Sequence, residues 1–191
     1  MRDTRVFRPI PQNEEISISP RRLLVSKTDS KGRILYSNEY FREICGYEES
    51  ELYGMPHNMV RHPDMPRAIF HLMWASIKQN KNISAVVKNL AKDGRYYWVI
   101  TDFEFSVDML SGRKTYIGFR QAAPASVIKG IAPLYASLTN IERKHGVEAS
   151  LAHLQGFLEE KRMSYDEYIS SLKPTGLFAT IFDKMKRAFS A

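Results

Sequence analysis

From Ile83 to Gln121 the chain repeats one arrangement, a run of β-branched and aromatic residues followed by a polar turn. Ile83 to Leu90 stops at Ala91-Lys92-Asp93-Gly94, and Asp-Gly is a strong hairpin signal because its tight turn needs positive φ. Tyr96 to Val107 turns at Asp108 to Gly112 and returns as Lys114 to Gln121. Three consecutive antiparallel strands make a sheet with an apolar face, and the rest of the chain has to cover it.

The preceding residues supply both more sheet and the cover. Leu23 to Thr28, the polar turn Asp29-Ser30-Lys31-Gly32, and Arg33 to Tyr36 read as a hairpin. Ser37 or Asn38 can cap the next segment, where Tyr40, Phe41, Ile44 and Cys45 recur at helical spacing before Gly46. Glu48 to Leu52 is a further short helical turn, and Met65 to Gln79 a longer helix with Ala68, Ile69, Leu72, Met73 and Ile77 on one face. The expected architecture is α+β, a five-stranded antiparallel sheet with short helices over one face enclosing a small cavity. It occupies residues 22–123, between an N-terminal cap or arm at 1–21 and a helical C-terminal extension at 124–191.

In the extension, Ile128, Ile131, Leu134, Tyr135, Leu138 and Ile141 are spaced by three and four within Val127 to Lys144. Gly146 breaks that helix and Val147 to Lys161 resumes it. Ser164-Tyr165-Asp166-Glu167 has the form of a capping box. Phe178, Ile181, Phe182, Met185 and Phe189 form the face of a terminal amphipathic segment bordered by Lys184, Lys186 and Arg187. That face suits a protein partner, an anionic membrane or intramolecular packing.

Composition narrows the function classes. The 191 residues carry a formal charge of +7, but Lys and Arg are dispersed, and no zinc-finger spacing or recognition-helix pattern accompanies them, which argues against nucleic acid. No run approaches the ~20 apolar residues of a membrane span, and Met1 to Val6 lacks the apolar stretch of a secretory signal. The single cysteine cannot form an internal disulfide. The expected location is cytoplasmic.

Pro56 to Pro66 stands apart. Pro56-His57-Asn58-Met59-Val60-Arg61-His62-Pro63-Asp64-Met65-Pro66 packs two imidazoles, a guanidinium and a carboxylate into eleven residues ahead of an apolar helix. Such a segment grips a cofactor, a metal or another polar element of the same domain. Arg61 offers paired donors for a phosphate or carbonyl. Asp64 can fix His62 or accept from a ligand; alternatively it caps the helix near Pro66 and pairs with Arg61 at the surface.

The order ββααα-βββ, with Gly32-Arg33-Ile34-Leu35-Tyr36-Ser37-Asn38, Gly46 to Gly54 and Lys92-Asp93-Gly94-Arg95-Tyr96-Tyr97-Trp98-Val99, resembles a PAS domain. Pro56 to Pro66, Val87-Lys88-Asn89 and Tyr97-Trp98-Val99 are similar to the sensor domain of bacterial aerotaxis, or energy-taxis, receptors over roughly residues 20 to 122. That resemblance implies noncovalent FAD and redox signalling to a chemotaxis module, with Arg61, His62 and Asp64 as motif residues needed for the cofactor. It adds His57, Asn58, Asn89 and Trp98 as cofactor-site candidates, although a local turn explains His57 and Asn58, and core packing explains Trp98, about as well. It further implies a soluble stand-alone form that contacts a membrane-bound transducer through the C-terminal helices, with a setting beside the inner membrane and homodimerisation as companion expectations.

One departure bears on the cofactor. The family's strand before Val87 usually opens with a tryptophan and a nearby glycine, where this chain has Ile83-Ser84-Ala85-Val86. Haem b is the alternative, with His71 on the long helix as the candidate axial ligand, and a cofactor-free interaction or dimerisation domain is a third reading. A blue-light cysteine is missing after Gly54, and Cys45 reads as a packing thiol. His57 and His62 lack companions for zinc. No Ser-His-Asp arrangement, Walker loop or paired carboxylate suggests catalysis, so no catalytic residue, metal ligand or enzymatic activity is expected.

Overall fold

The computed structural model describes residues 8–107, 112–173 and 185–187. Strands β1 (Leu24–Asp29) and β2 (Ile34–Ser37) form the first hairpin. The Asp29 carboxylate closes its turn by accepting the Lys31 and Arg33 amides, both at 2.8 Å. Asn38 then caps α1 (Glu39–Cys45), accepting from the Phe41 amide at 3.0 Å. The same side chain reaches back to β1, accepting from Val25 N at 3.0 Å and donating to Leu23 O at 2.8 Å. One asparagine therefore starts a helix and ties it to the sheet.

Next come α2 (Glu49–Leu52), a 3-10 turn (His57–Val60) and α3 (Arg67–Lys78). Strands β3 (Ile83–Leu90), β4 (Tyr96–Val107) and β5 (Lys114–Ala122) complete an antiparallel sheet in the order β2-β1-β5-β4-β3. Register fixes what faces where. Ser26 pairs with Gly118, Thr101 with Arg120, and Val87 with Val99, which puts these residues on the face beneath the 3-10 turn and α3. The expected PAS fold is present, α+β with five antiparallel strands, short helices and a helical extension.

The extension comprises α4 (Ala125–Lys161) and α5 (Tyr165–Leu172). Gly146, at φ 85° and ψ 174°, breaks α4 where expected. Its second half folds back on the first, with Ser150 Oγ donating to Leu138 O at 3.2 Å. The capping box appears as expected, Ser164 and Glu167 exchanging bonds of 2.7 and 3.3 Å. Val127, Ile131, Leu134, Tyr135 and Leu138 are all buried, so the apolar stripe of α4 is spent inside the chain. Each fully buried aliphatic side chain there contributes about 1.5 to 3 kcal/mol.

What α4 and α5 cover is a sheet edge. β3 ends the sheet, and its outward backbone groups would otherwise be a template for another strand. Here Tyr135 Oη donates to Val86 O at 2.7 Å, the Asp166 carboxylate accepts from Ser84 N at 3.1 Å, and His62 N donates to Lys88 O at 3.4 Å. At the other end of the chain, residues 12–16 lie along the start of β4, with Ile16 N donating to Tyr96 O at 2.7 Å. On the outer sheet face Met185 packs on Leu23, Val25 and Phe119, and Lys186 pairs with Asp102 and Glu104. Phe178, Ile181, Phe182 and Phe189 lie outside the described residues.

Candidate functional site

Between the sheet and the 3-10 turn with α3 lies a cavity of about 270 Å³. Its floor is Ser26 and Thr28 of β1, Val87 and Asn89 of β3, Thr101 and Phe103 of β4, and Tyr116, Gly118 and Arg120 of β5. Its roof is His57, Asn58, Arg61, and Phe70, Met73, Trp74 and Ile77 of α3. Lys31 and Asn58 are exposed and mark the mouth. The walls are mainly apolar, the common character of a small-molecule site.

Its charge is one-sided. Lys31, Arg61 and Arg120 line the cavity, and no Asp or Glu among the described residues does. Arg120 is buried, 2% exposed, and its partners are neutral. Nη1 donates to Ser26 Oγ and to Gly118 O, each at 2.9 Å, and Nη2 contacts His57 Nε2 at 3.0 Å. A Cβ on Gly118 would come within 2.6 Å of the guanidinium, so glycine leaves the groove in which Arg120 lies. Burial lowers the Arg120 pKa to about 10, which leaves it charged at neutral pH. Burial, then the Arg120 charge, lowers His57 to about 3, so the imidazole is neutral and accepts.

Three polar atoms around the cavity have no partner among the described residues: Asn89 Nδ2, Thr101 Oγ1 and Arg61 Nε. Asn89 is 4% and Thr101 0% exposed. Leaving such a group unsatisfied costs about 1 to 3 kcal/mol, which a bound ligand or water would remove. The other end of the Arg61 guanidinium donates to Met65 O at 3.2 Å.

The expected site residues divide. His57, Asn58, Arg61 and Asn89 line the cavity; His62, Asp64 and Trp98 do not. His62 is buried behind the roof, where its Nδ1 accepts from Asp64 N at 3.1 Å, and burial lowers its pKa to about 4. Asp64 is 58% exposed and pairs with Lys88 at 3.2 Å and Arg143 at 3.7 Å, rather than with Arg61. Nor does Asp64 cap α3. That place is taken by Glu142 of α4, whose carboxylate accepts from Arg67 N at 2.9 Å and Ala68 N at 2.7 Å.

The tryptophan expected at the site does not reach the cavity, and the other one does. Trp98 is on the outer face of β4, because period two puts it opposite Thr101, and it stacks on Tyr135 at 6.3 Å. The indole in the cavity is Trp74, edge-on to Tyr116 at 5.9 Å. On α3 Trp74 is one residue on from the buried Met73, and both side chains line the cavity. Ile83 sits on the cavity side of β3 but outside the lining. His71 is exposed, and Cys45 is buried with its thiol pushed up to about 11 by desolvation. No group of three or more His, Cys, Asp or Glu among the described residues could hold a metal ion.

Residues 34–120 match the PAS fold family, a stretch that holds the cavity lining apart from Ser26, Thr28, Lys31 and Gly32. The aerotaxis receptor of Escherichia coli (strain K12) is 37% identical over 137 residues, covering 71% of this chain and 26% of the receptor. The chain carries a PAS sensor domain homologous to the aerotaxis receptors. The bacterioopsin transcriptional activator of Halobacterium salinarum is 27% identical over 93 residues, 49% of this chain and 14% of that protein. The chain thus spans about a quarter or less of the curated relatives it matches. Among solved structures, the light state of the blue-light photoreceptor Aureochrome1 LOV is 20% identical, covers 63% of this chain and 90% of that chain, and has a TM-score of 0.48. A PAS domain from a two-component sensor histidine kinase is 18% identical, covers 53% of this chain and 85% of that chain, and has a TM-score of 0.44. No helix of the described residues is long and apolar enough to cross a membrane.

Proposed function

We propose that this chain is an FAD-binding redox sensor that reports to a membrane-bound chemotaxis transducer. The observation that carries the reading is the buried Arg120 guanidinium, held by neutral groups on the floor of an acid-free cavity. Such a cation suits a ligand whose carbonyl edge accepts hydrogen bonds and whose electron density rises on reduction. Flavin, when bound, supplies that reversible redox change. Arg120 would hold the electron-rich edge, Asn89 Nδ2 and Thr101 Oγ1 would gain partners, and Trp74, Tyr116 and Phe103 supply aromatic walls. At about 270 Å³ the cavity is at the low end of ligand pockets, enough for a ring system and not for a whole dinucleotide. The remaining arm belongs at the mouth, where Lys31 and Asn58 are exposed.

Haem fits less well. His71 is exposed, and the one histidine in the lining, His57, has its Nε2 occupied by Arg120. A cofactor-free domain would leave Asn89 and Thr101 to water alone. The domain division at 22–123 and the cytoplasmic setting beside an inner-membrane partner belong to the same proposal, as does the homodimer. Because α4 has buried its apolar stripe, the partner contact falls to the outer surface of α4–α5 or to the segment after Lys173. The first test is the visible spectrum of freshly purified protein. Flavin bands support the reading, an intense Soret band moves it to haem, and a colourless protein that takes up neither removes it.

A further inference from the structure

The segment Arg61 to Pro66 has two sides. Towards the cavity it presents Arg61, and a backbone bridge joins Arg61 to Asn89, another lining residue. Away from the cavity it is gripped by α4. Thr139 Oγ1 lies 3.0 Å from Asp64 O and 2.8 Å from Tyr135 O, so its one proton is shared between the two carbonyls, and Arg143 pairs with the Asp64 carboxylate at 3.7 Å. Glu142, between them on the same helix, takes the first two free amides of α3. Neither Asp64 nor His62 reaches the cavity, yet both are built into this joint. Pro66, the residue before α3, has no side chain that could cap it, so the cap comes from 75 residues away.

We infer that α4 is a working part of the cofactor site, with Glu142 and Thr139 as positioning residues. They hold the Arg61 segment and the start of α3 against the cavity, so ligand occupancy and docking of the helical extension form one linked equilibrium. This rests on the flavin reading for the ligand but not for the joint. Linkage is reciprocal: if docked α4 tightens binding, bound ligand must tighten docking by the same factor. The joint also explains how a signal leaves the domain, since a ligand that moves Arg61 must move the residues that Thr139 and Glu142 hold.

The test uses the full chain, with Glu142→Gln, Thr139→Val and their combination, and exposed Glu148→Gln as control. Glu142→Gln keeps the shape and removes the charge, and flavin affinity in the double variant should fall about tenfold or more, as for loss of charge-assisted bonds. Hydrogen exchange gives the readout that general weakening would not. In wild type, FAD should slow exchange at Arg61, His62, Arg67 and Ala68 and along residues 127–142 together; in the double variant it should protect the first group and no longer the second. Equal FAD affinity and equal protection in wild type and double variant overturn the inference. If wild type takes up no flavin, the cofactor reading falls and the ligand-free exchange decides the joint. Faster exchange of both groups in the double variant upholds it, and acceleration confined to α4 overturns it.

Discussion

Nη2 of Arg120, on the last strand, lies 3.0 Å from Nε2 of His57, on the turn that roofs the cavity. A guanidinium can only donate, so His57 Nε2 accepts and the imidazole carries its proton on Nδ1. Floor and roof are therefore joined by a bond that exists only while His57 is neutral.

Acid should open that joint. His57 and His62 have folded pKa values of about 3 and 4, both depressed first by burial, against about 6.5 in an unfolded chain. Between those limits the unfolded chain binds more protons than the fold, so stability is full above about pH 6.5 and falls as pH drops. Most carboxylates titrate below this range, so loss between pH 6.5 and 5 reports the histidines. Urea midpoints at pH 7.5, 6 and 5 should decline, and His57→Gln should flatten the decline. A wild-type midpoint constant across that range contradicts the assignment.

Arg120→Met should separate stability from binding. Replacing a buried charge by an apolar chain of similar volume removes its desolvation cost, so the melting temperature should hold or rise. Flavin retention should fall by about tenfold or more, because the cation and its directed donors are gone. The His57 pKa should also move up, since one of its two depressing causes is removed. Full flavin occupancy in folded Arg120→Met would remove Arg120 from the site.

How much of this could be read in advance follows the range of the interactions. The strand boundaries of β3, the break at Gly146 and the Ser164 box came from local patterns, and the fold has them. Period two separates the faces of β4 but does not say which is inward, so Trp98 was open to either. The alternation Tyr116-Gly118-Arg120 does place an arginine behind a glycine on one strand face, and it is the one local trace of the buried cation. Glu142 capping α3 leaves no local trace, because the bond joins elements far apart in sequence. The residues of the Pro56 to Pro66 segment were legible as a grip, but its two sides were not.

Arg61→Ala tests the roof. The guanidinium lines the cavity, has an unpartnered buried Nε and lies 5.4 Å from the Phe70 ring centre. Burial and the Arg8 charge lower its pKa, and Glu142 opposes them. Charge-assisted contacts to a ligand are worth about 1.5 to 3 kcal/mol each, so flavin affinity should fall more than tenfold. Equilibrium dialysis against FAD measures it, and unchanged occupancy in folded Arg61→Ala would exclude Arg61 as a ligand.

The tyrosines at the β3 edge should behave non-additively. Tyr135 Oη lies 2.7 Å from Val86 O and 2.5 Å from Tyr165 Oη, and burial raises both phenol pKa values, so both stay protonated donors. In Tyr135→Phe, the Tyr165 hydroxyl can turn to the Val86 carbonyl, and the loss should be about 0.5 to 1.5 kcal/mol. Tyr165→Phe leaves the Tyr135 bond in place and should cost no more. With both hydroxyls gone the carbonyl is buried without a donor, a penalty of about 1 to 3 kcal/mol beyond the lost bonds. A double-mutant cycle in urea should therefore give a combined loss larger than the sum of the single ones. The same double variant loosens the cover over an edge strand, so it should also aggregate sooner on heating. Strict additivity, with no change in aggregation onset, would mean that the helices do not protect this edge through Val86.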